Sequence, residues 1–225
     1  MNLTKYAYET LEEINRSVTD DTEIDLRLIK QLIIDQRELW LSRSVNKEGT
    51  SSGYDGGWHN YTQVISVPLT QETDGTHSLD CYSFRKLWKS DSVFPGVITF
   101  GRRPAVMSVV GMFTDTFELR RRILFSTYDR ASFTGEGKFN STQLTSFLKK
   151  DYFWVAAKSA GTIDATFTVE VEAILRDPTE APGYDDEVDE FPIGKNWPLI
   201  QDMVVNKMLR KLQGEEDKLN NSDDR

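Results

Sequence analysis

The apolar positions of the first 48 residues follow a helical period. In residues 5–17, Tyr6, Leu11 and Ile14 fall near one side, with acidic residues between them. After a polar break, the next segment carries two apolar rows, which are Leu26, Ile29, Ile33 and Trp40, and Ile24, Leu28, Leu32 and Leu39. Two rows make an apolar surface wide enough for more than one neighbour. We predict an N-terminal helical hairpin in residues 1–48, with Asp21 or Thr22 as the N-cap of its second helix.

From Tyr61 onward the period changes from that of a helix to that of a strand. The clearest case is "ATFTVEVEAIL", residues 165–175, where apolar side chains alternate with threonine and glutamate. Further strand candidates are "YTQVISVPL", "GVITF", "PAVMSVVGMF", "RRILFSTYD" and "YFWVAAK". Pro68 places the end of the first of these at a sheet edge. We interpret "NSTQLTSFLKK" as a short helix capped by Asn140 or Ser141. No βαβ alternation occurs, so residues 58–176 predict a sandwich-like antiparallel β domain.

The last part of the chain returns to a helical pattern after an acidic loop, residues 177–195. The segment "NWPLIQDMVVNKMLRKLQG" predicts a helix over residues 196–214, with Asn196 as cap, Pro198 in the first turn and Gly214 at its end. The charged residues 215–225 are predicted to form a disordered tail. The predicted fold class is therefore α+β.

Composition narrows the classes of function. The chain has 225 residues and a formal net charge of −9. An acidic balance argues against general binding to duplex DNA, which usually needs a basic surface. Cys81 is the single cysteine, so no disulfide can form within the chain. The longest apolar run is too short to span a membrane, and we expect a soluble protein without a membrane partner.

The most concentrated charge lies in an acidic run, residues 185–190, which contains Asp185, Asp186, Glu187, Asp189 and Glu190. An EF-hand would need glycine where Glu190 stands and glutamate where Asn196 stands, so that interpretation fails. Three alternatives remain. The run is a solvated loop, a looser cation site of a metal-dependent enzyme that activates water, or a loop between subunits.

The interface hypothesis requires basic partners for these acids on a neighbouring copy. The candidates are Arg102, Arg103, Arg120, Arg121 and Arg122. Phe191 and Trp197, which follow the acidic run, complete the predicted interface. A further alternative is a nucleic-acid-binding module that uses Arg120 to Arg122 with Phe117 and Phe125, although the net charge disfavours it.

Motifs of catalysis are missing from the sequence. His59 and His77 lack nearby ligands at zinc spacing, and no G-x-S-x-G occurs. The "TGEGKF" turn departs from a phosphate-binding loop at Ser132 and Phe139. We predict no catalytic residue, no metal ligand and no cofactor.

The order of segments resembles the neck proteins of crAss-like phages, which are tailed bacterial viruses with short tails. The likeness runs from about residue 20 to about residue 213. Its most specific pieces are "GRRPAV", the turn from Phe133 to Phe139, and the ending in which "ILRDPTE" precedes the acidic loop, "FPI" and a helix.

The resemblance implies a virion structural protein rather than an enzyme. Copies would form a ring in the head-to-tail connector, matching a twelvefold portal, with the portal and other neck or tail ring proteins as partners. DNA would pass through the lumen without specific binding. The protein would be made in the host bacterial cytoplasm and end in the virion.

Overall fold

The three long helices lie in one unit of the chain, and all the described strands lie in the other together with one short helix. The computed structural model describes residues 1–17, 24–47, 58–72, 78–79, 82–83, 86–100, 103–112, 120–133, 144–157 and 165–220. The helical unit comprises residues 1–61, 177–179 and 183–225, and the β unit comprises residues 62–176 and 180–182. The β unit is thus inserted between the second and the last helix of the helical unit.

Four α-helices, three short 3₁₀ helices and twelve strands follow one another along the described chain. The helices are α1 (Leu3–Ser17), α2 (Leu26–Lys47), α3 (Tyr128–Phe133) and α4 (Trp197–Asn220). The first six strands are β1 (Gln63–Gln71), β2 (Ser78–Leu79), β3 (Tyr82–Ser83), β4 (Lys86–Ser90), β5 (Thr99–Phe100) and β6 (Arg103–Pro104). The others are β7 (Val106–Met112), β8 (Arg120–Arg122), β9 (Leu124–Phe125), β10 (Thr145–Lys149), β11 (Tyr152–Ala157) and β12 (Thr166–Ala173). Helices flank a mostly antiparallel sheet in sequence, which confirms the α+β class.

The core of the helical unit forms where α1, α2 and α4 pack together. Its fully buried side chains include Ile14, Ile29, Ile33, Ile200 and Val204. The spacing of Ile200, Val204 and Met208 places one row of α4 in this core, since residues four apart share a helix face. The N-terminal helices predicted from the apolar period are therefore present, and α4 joins them.

Two predicted helix boundaries were wrong. The N-cap of α2 is Asp25, whose Oδ1 accepts a hydrogen bond of 2.9 Å from the Arg27 backbone N–H, whereas Asp21 and Thr22 lie outside the described residues. At the other end of the chain, α4 continues to Asn220 instead of ending at Gly214. An internal glycine costs a helix only about 1 kcal/mol, and the good helix formers around Gly214 offset it. Of the predicted tail, residues 221–225 lie outside the described residues.

The core of the β unit is enclosed by one eight-stranded sheet of order β8-β7-β12-β1-β4-β11-β10-β9. The two end strands are consecutive pieces of one segment, residues 120–125, so the ends of the sheet meet there. The predicted antiparallel β domain is present, but instead of a sandwich-like arrangement it has this one large sheet and two short pairs, β2-β3 and β5-β6. The buried positions of β12 alternate as predicted, with Phe167, Val169, Val171 and Ala173 inside.

The helix predicted in residues 140–150 was also wrong, because residues 145–149 form β10. This strand pairs with β11 across a two-residue turn, Lys150 and Asp151, which have φ angles of 51° and 62°. Left-handed turns of this kind match the twist of an antiparallel hairpin. Pairing with the buried strand β11 overrides the local helical spacing. The short helix α3 covers this region, where Tyr128 contacts Phe147 with ring centroids 5.4 Å apart.

Candidate assembly surface

The acidic run folds into a turn that uses two of its own carboxylates. Asp185 Oδ1 accepts a hydrogen bond of 2.9 Å from the Glu187 backbone N–H. Asp189 Oδ2 accepts one of 2.8 Å from the Asp185 N–H, and the Asp189 N–H donates to the Asp185 carbonyl at 2.8 Å. Aspartate side chains commonly stabilise turns in this way. Asp185 and Asp189, which the cation-site alternative would use, therefore each accept a hydrogen bond from the backbone of the turn.

The same turn is fixed to the N-terminal helices of its own chain. The Asp186 carbonyl accepts hydrogen bonds from the Thr4 N–H at 3.1 Å and from the Thr4 hydroxyl at 2.9 Å. The Asp186 carboxylate lies 2.5 Å from Lys30 Nζ, and the Asn2 side-chain amide donates to the Glu187 carbonyl. These contacts join the acidic run to α1 and α2, so its position is set within one subunit.

What the turn leaves at the surface is a small acidic patch, which we define as Asp185, Glu187 and Glu190. Val188, whose side chain is 76% exposed, lies between them in the chain. Glu190 Oε1 is 3.7 Å from the N-terminal ammonium group, but the Glu190 side chain is 86% exposed. Such an exposed pair contributes little to stability. The patch therefore presents negative charge on a fixed backbone.

Phe191 and Trp197 do not belong to this exposed patch. Phe191 is 1% exposed in the core of the helical unit, and its ring centroid lies 6.4 Å from that of Tyr6. Trp197 is partly buried against the same core, with its ring centroid 4.2 Å from that of Tyr6. The prediction that Phe191 is a surface contact was wrong, because its ring anchors the acidic loop to its own helices.

Arg37 is a buried cation that sequence analysis did not single out. Its Nε donates to the Pro192 carbonyl at 2.7 Å, and its Nη2 donates to the Tyr61 carbonyl at 3.2 Å. The guanidinium carbon lies 5.7 Å from the centroid of the Phe191 ring. Burial lowers the pKa of Arg37 to about 10, and the negative charge of Asp177 partly opposes that shift. A charged residue in the apolar row of α2 was the only available signal.

Tyr184 and Gly194 lie near the two ends of the stretch that contains the acidic run, and both have constrained surroundings. The Tyr184 hydroxyl is buried and has no hydrogen-bond partner among the described residues, and burial together with Asp186 raises its pKa. Gly194 has a φ of +61°, and a Cβ there would lie 3.1 Å from the Tyr61 ring. Asn196, directly before α4, donates its side-chain amide to the Tyr61 hydroxyl. These contacts hold the start of α4 against Tyr61, the last residue of the 3₁₀ helix Trp58–Tyr61.

Comparison with known proteins identifies the family. Residues 5–225 match the family described as phage tail ring protein 2, of the crAss group. The chain belongs to this family of crAss-like phage ring proteins. A search of curated proteins found no match. As a phage tail ring protein, the chain is a structural component of the virion, contacts other copies of itself and has partners in the tail.

A ring protein needs surfaces for its neighbours, and the predicted basic partners lie in the β unit. Arg120 to Arg122 form β8, which pairs with Val110 to Met112 of β7, and the Arg122 side chain is exposed. Arg103 begins β6, while Arg102 lies outside the described residues, as do the side chains of Arg103, Arg120 and Arg121. Their role as partners of the acidic patch stays a prediction.

Two other properties of the ring protein concern ions and membranes. Within the described ranges, no group of three or more histidine, cysteine, aspartate or glutamate residues is arranged to hold a metal ion. In the same part of the chain, no helix is long and apolar enough to cross a membrane.

Proposed function

We propose that this ring protein is an adaptor in the neck, between the portal and the tail, and that its lumen is a conduit for the genome. The observation that carries the proposal is the acidic patch, which is exposed and yet fixed by Thr4, Lys30 and Asn2 of the same chain. A rigid charged patch can set the register of one subunit against the next.

The ring is proposed to close through contacts between unlike surfaces. In a closed ring, each copy uses two different faces, one for each neighbour. The acidic patch belongs to the helical unit, and Arg122 with the strand β8 belongs to the β unit. We propose that the acidic patch of one copy meets the arginines of the next. We also propose that the ring contains twelve copies, because an adaptor that binds a twelvefold portal would match the symmetry of the portal.

The conduit proposal rests on charge. A formal net charge of −9 repels the phosphates of passing DNA. A basic lumen would retain the genome, since lysine and arginine contacts release counterions and supply most nonspecific affinity for DNA. We propose a lumen that DNA crosses without being bound.

The test compares ring formation by the wild-type chain, by Glu187→Lys/Glu190→Lys and by a matched control, Glu12→Lys/Glu13→Lys. Both double variants change the net charge equally. The first alters exposed side chains of the patch without touching the carboxylates that cap the turn. The control alters two exposed acids of α1, which form ion pairs with Arg16 of the same helix.

Light scattering over a concentration series, with negative-stain imaging, measures the result. We expect rings from the wild type and the control, and loss of rings from the patch variant. Equal assembly by all three proteins would reject the role of the patch. Cosedimentation with the cognate portal then tests placement in the neck, and a wild-type ring that does not bind the portal contradicts it.

A further inference from the structure

The strand β1 has a pairing side that its neighbour β4 covers only in part. In β1 the odd-numbered residues direct their backbone groups toward β12. The Gln71 N–H shows this, since it donates a hydrogen bond of 2.7 Å to the Ala165 carbonyl, in the same register as the β1–β12 ladder. The even-numbered residues face the other side, as shown by the bond of 2.9 Å from the Glu72 N–H to the Leu87 carbonyl. A residue in an antiparallel pair presents its N–H and its carbonyl to the same neighbour.

The neighbouring strand ends early on that side. The β4 ladder pairs only with Leu69 to Gln71, and the Asp91 N–H adds one last bond of 3.2 Å to the Pro68 carbonyl. The chain then bends at residues 91–92 and leaves β1, because the Phe94 N–H bonds to the Asp151 carbonyl at 2.8 Å. Beyond Pro68, therefore, β4 does not accompany β1.

This geometry leaves an open edge, which we define as the side of β1 presented by Val64 and Ser66. Their N–H and carbonyl groups face away from β12, and no described residue pairs with them there. Both side chains are exposed, and Val64 is 68% exposed. Pro68 bounds the edge because it has no N–H to donate. An unpaired stretch of a strand is a template for another chain.

We infer that an extended segment of a second copy of this chain pairs with the open edge by β-augmentation. Main-chain hydrogen bonds would supply the attraction, and the exposed Val64 side chain would pack against the added strand. A second copy is the occupant because a tail ring protein contacts its own copies. In a ring each copy uses two different faces, and here one face would be the open edge and the other would be the segment that pairs with the edge of the next copy. The inference rests on ring assembly, but it does not require the neck position, the conduit or the acidic patch.

The register of β1 permits a selective test, Ser66→Pro with Ser66→Ala as the matched control. The Ser66 N–H faces the open edge, so proline removes a donor that β12 does not use. The subunit should fold with an unchanged thermal midpoint in both variants. In the assembly, the proline ring would remove one hydrogen bond and obstruct the added strand. We expect the association constant to fall about tenfold or more for Ser66→Pro and to stay near the wild-type value for Ser66→Ala.

Hydrogen exchange supplies a second measurement that does not depend on a variant. In assembled wild-type rings, the amides of Val64 and Ser66 should exchange slowly, whereas in dissociated subunits they should exchange quickly. Rings that form normally with Ser66→Pro, or that leave these amides in fast exchange, overturn the inference and leave ring assembly intact. A wild-type chain that stays monomeric at all concentrations and on the portal overturns both.

Discussion

At the residue scale, Arg37 connects parts of the helical unit that are distant in sequence. It is fully buried on α2, and it binds the carbonyl of Pro192, which is 155 positions away, and that of Tyr61. Tyr61 is the last residue of the 3₁₀ helix that precedes β1, and Pro192 lies in the acidic loop. Arg37 is thereby positioned to hold the acidic patch in place from beneath, through Pro192 and the Phe191 ring.

Replacing Arg37 with methionine tests this role. Arg37→Met keeps a long apolar side chain but leaves two buried carbonyls without their donor. We expect the free energy of unfolding to fall by roughly 2–6 kcal/mol, at about 1–3 kcal/mol for each of the two unsatisfied groups. Arg43→Met, an exposed position on the same helix, should change it by less than about 0.5 kcal/mol. Urea denaturation measures both, and equal effects would contradict the argument.

Tyr184 makes the stability of the helical unit sensitive to alkaline pH. Burial and nearby Asp186 raise its pKa above the ordinary value of 10.0. The folded state therefore holds the phenol proton more tightly than the unfolded state does. This contribution to stability is complete below pH 10 and is lost as the pH rises above it.

We expect Tyr184→Phe to have little effect near neutral pH, because the buried hydroxyl lacks a hydrogen-bond partner among the described residues. The variant should lose less stability than the wild type between about pH 9 and about pH 11. Free energies of unfolding at several pH values measure this slope. Parallel curves for the two proteins would show that Tyr184 does not titrate differently on folding.

At the scale of elements, capping and pairing decide where helices and strands begin and end. α2 begins after Asp25, because the side chain and carbonyl of that residue accept the first free N–H groups of the helix. β10 is a strand because β11 pairs along its whole length. In both cases the apolar period indicates an element, but a specific hydrogen-bond partner defines its limits.

Asp25→Ala should destabilise the helical unit by about 1 kcal/mol, the usual contribution of an N-cap side chain. Asp25→Asn should retain most of the stability, since the amide oxygen can accept the same hydrogen bond from the Arg27 N–H. Thermal denaturation of the three proteins checks the ranking. An alanine variant as stable as the asparagine variant would mean that the Asp25 side chain does not stabilise α2.

At the scale of the whole molecule, the two units offer a ring different kinds of contact. The helical unit presents the acidic patch, and the β unit presents the open edge of β1. Contacts between charges and contacts between backbone groups respond differently to salt. Ionic strength can therefore separate the two contributions to assembly.

We expect rings to weaken but not to vanish as sodium chloride rises from about 0.1 M to about 1 M. The screening length falls from about 10 Å to about 3 Å over this range, which suppresses the acid–arginine contacts. Hydrogen bonds at the open edge are much less affected. Mass photometry at both salt concentrations measures the fraction in rings, and a fraction independent of salt would argue against the charged contact.

The sequence by itself determined the α+β class, the three long helices and the alternation of β12. These features depend on the local period of apolar residues, which indicates whether a segment is a helix or a strand and which of its faces is apolar. The ordered segments also determined the resemblance to crAss-like neck proteins, and the family match over residues 5–225 confirms a phage ring protein. The acidic run was recognised as a feature, but its use within the turn was not.

Tertiary structure alone decided the remaining properties. Phe191 is buried because α1 and α2 cover it, and Asp186 is paired because Lys30 reaches it from α2. The open edge exists because β4 stops at Ser90 while β1 extends back to Gln63. Burial, pairing and free edges depend on segments that are far away in sequence. A local pattern of apolar and polar residues does not determine which distant segment packs against it or where that segment ends.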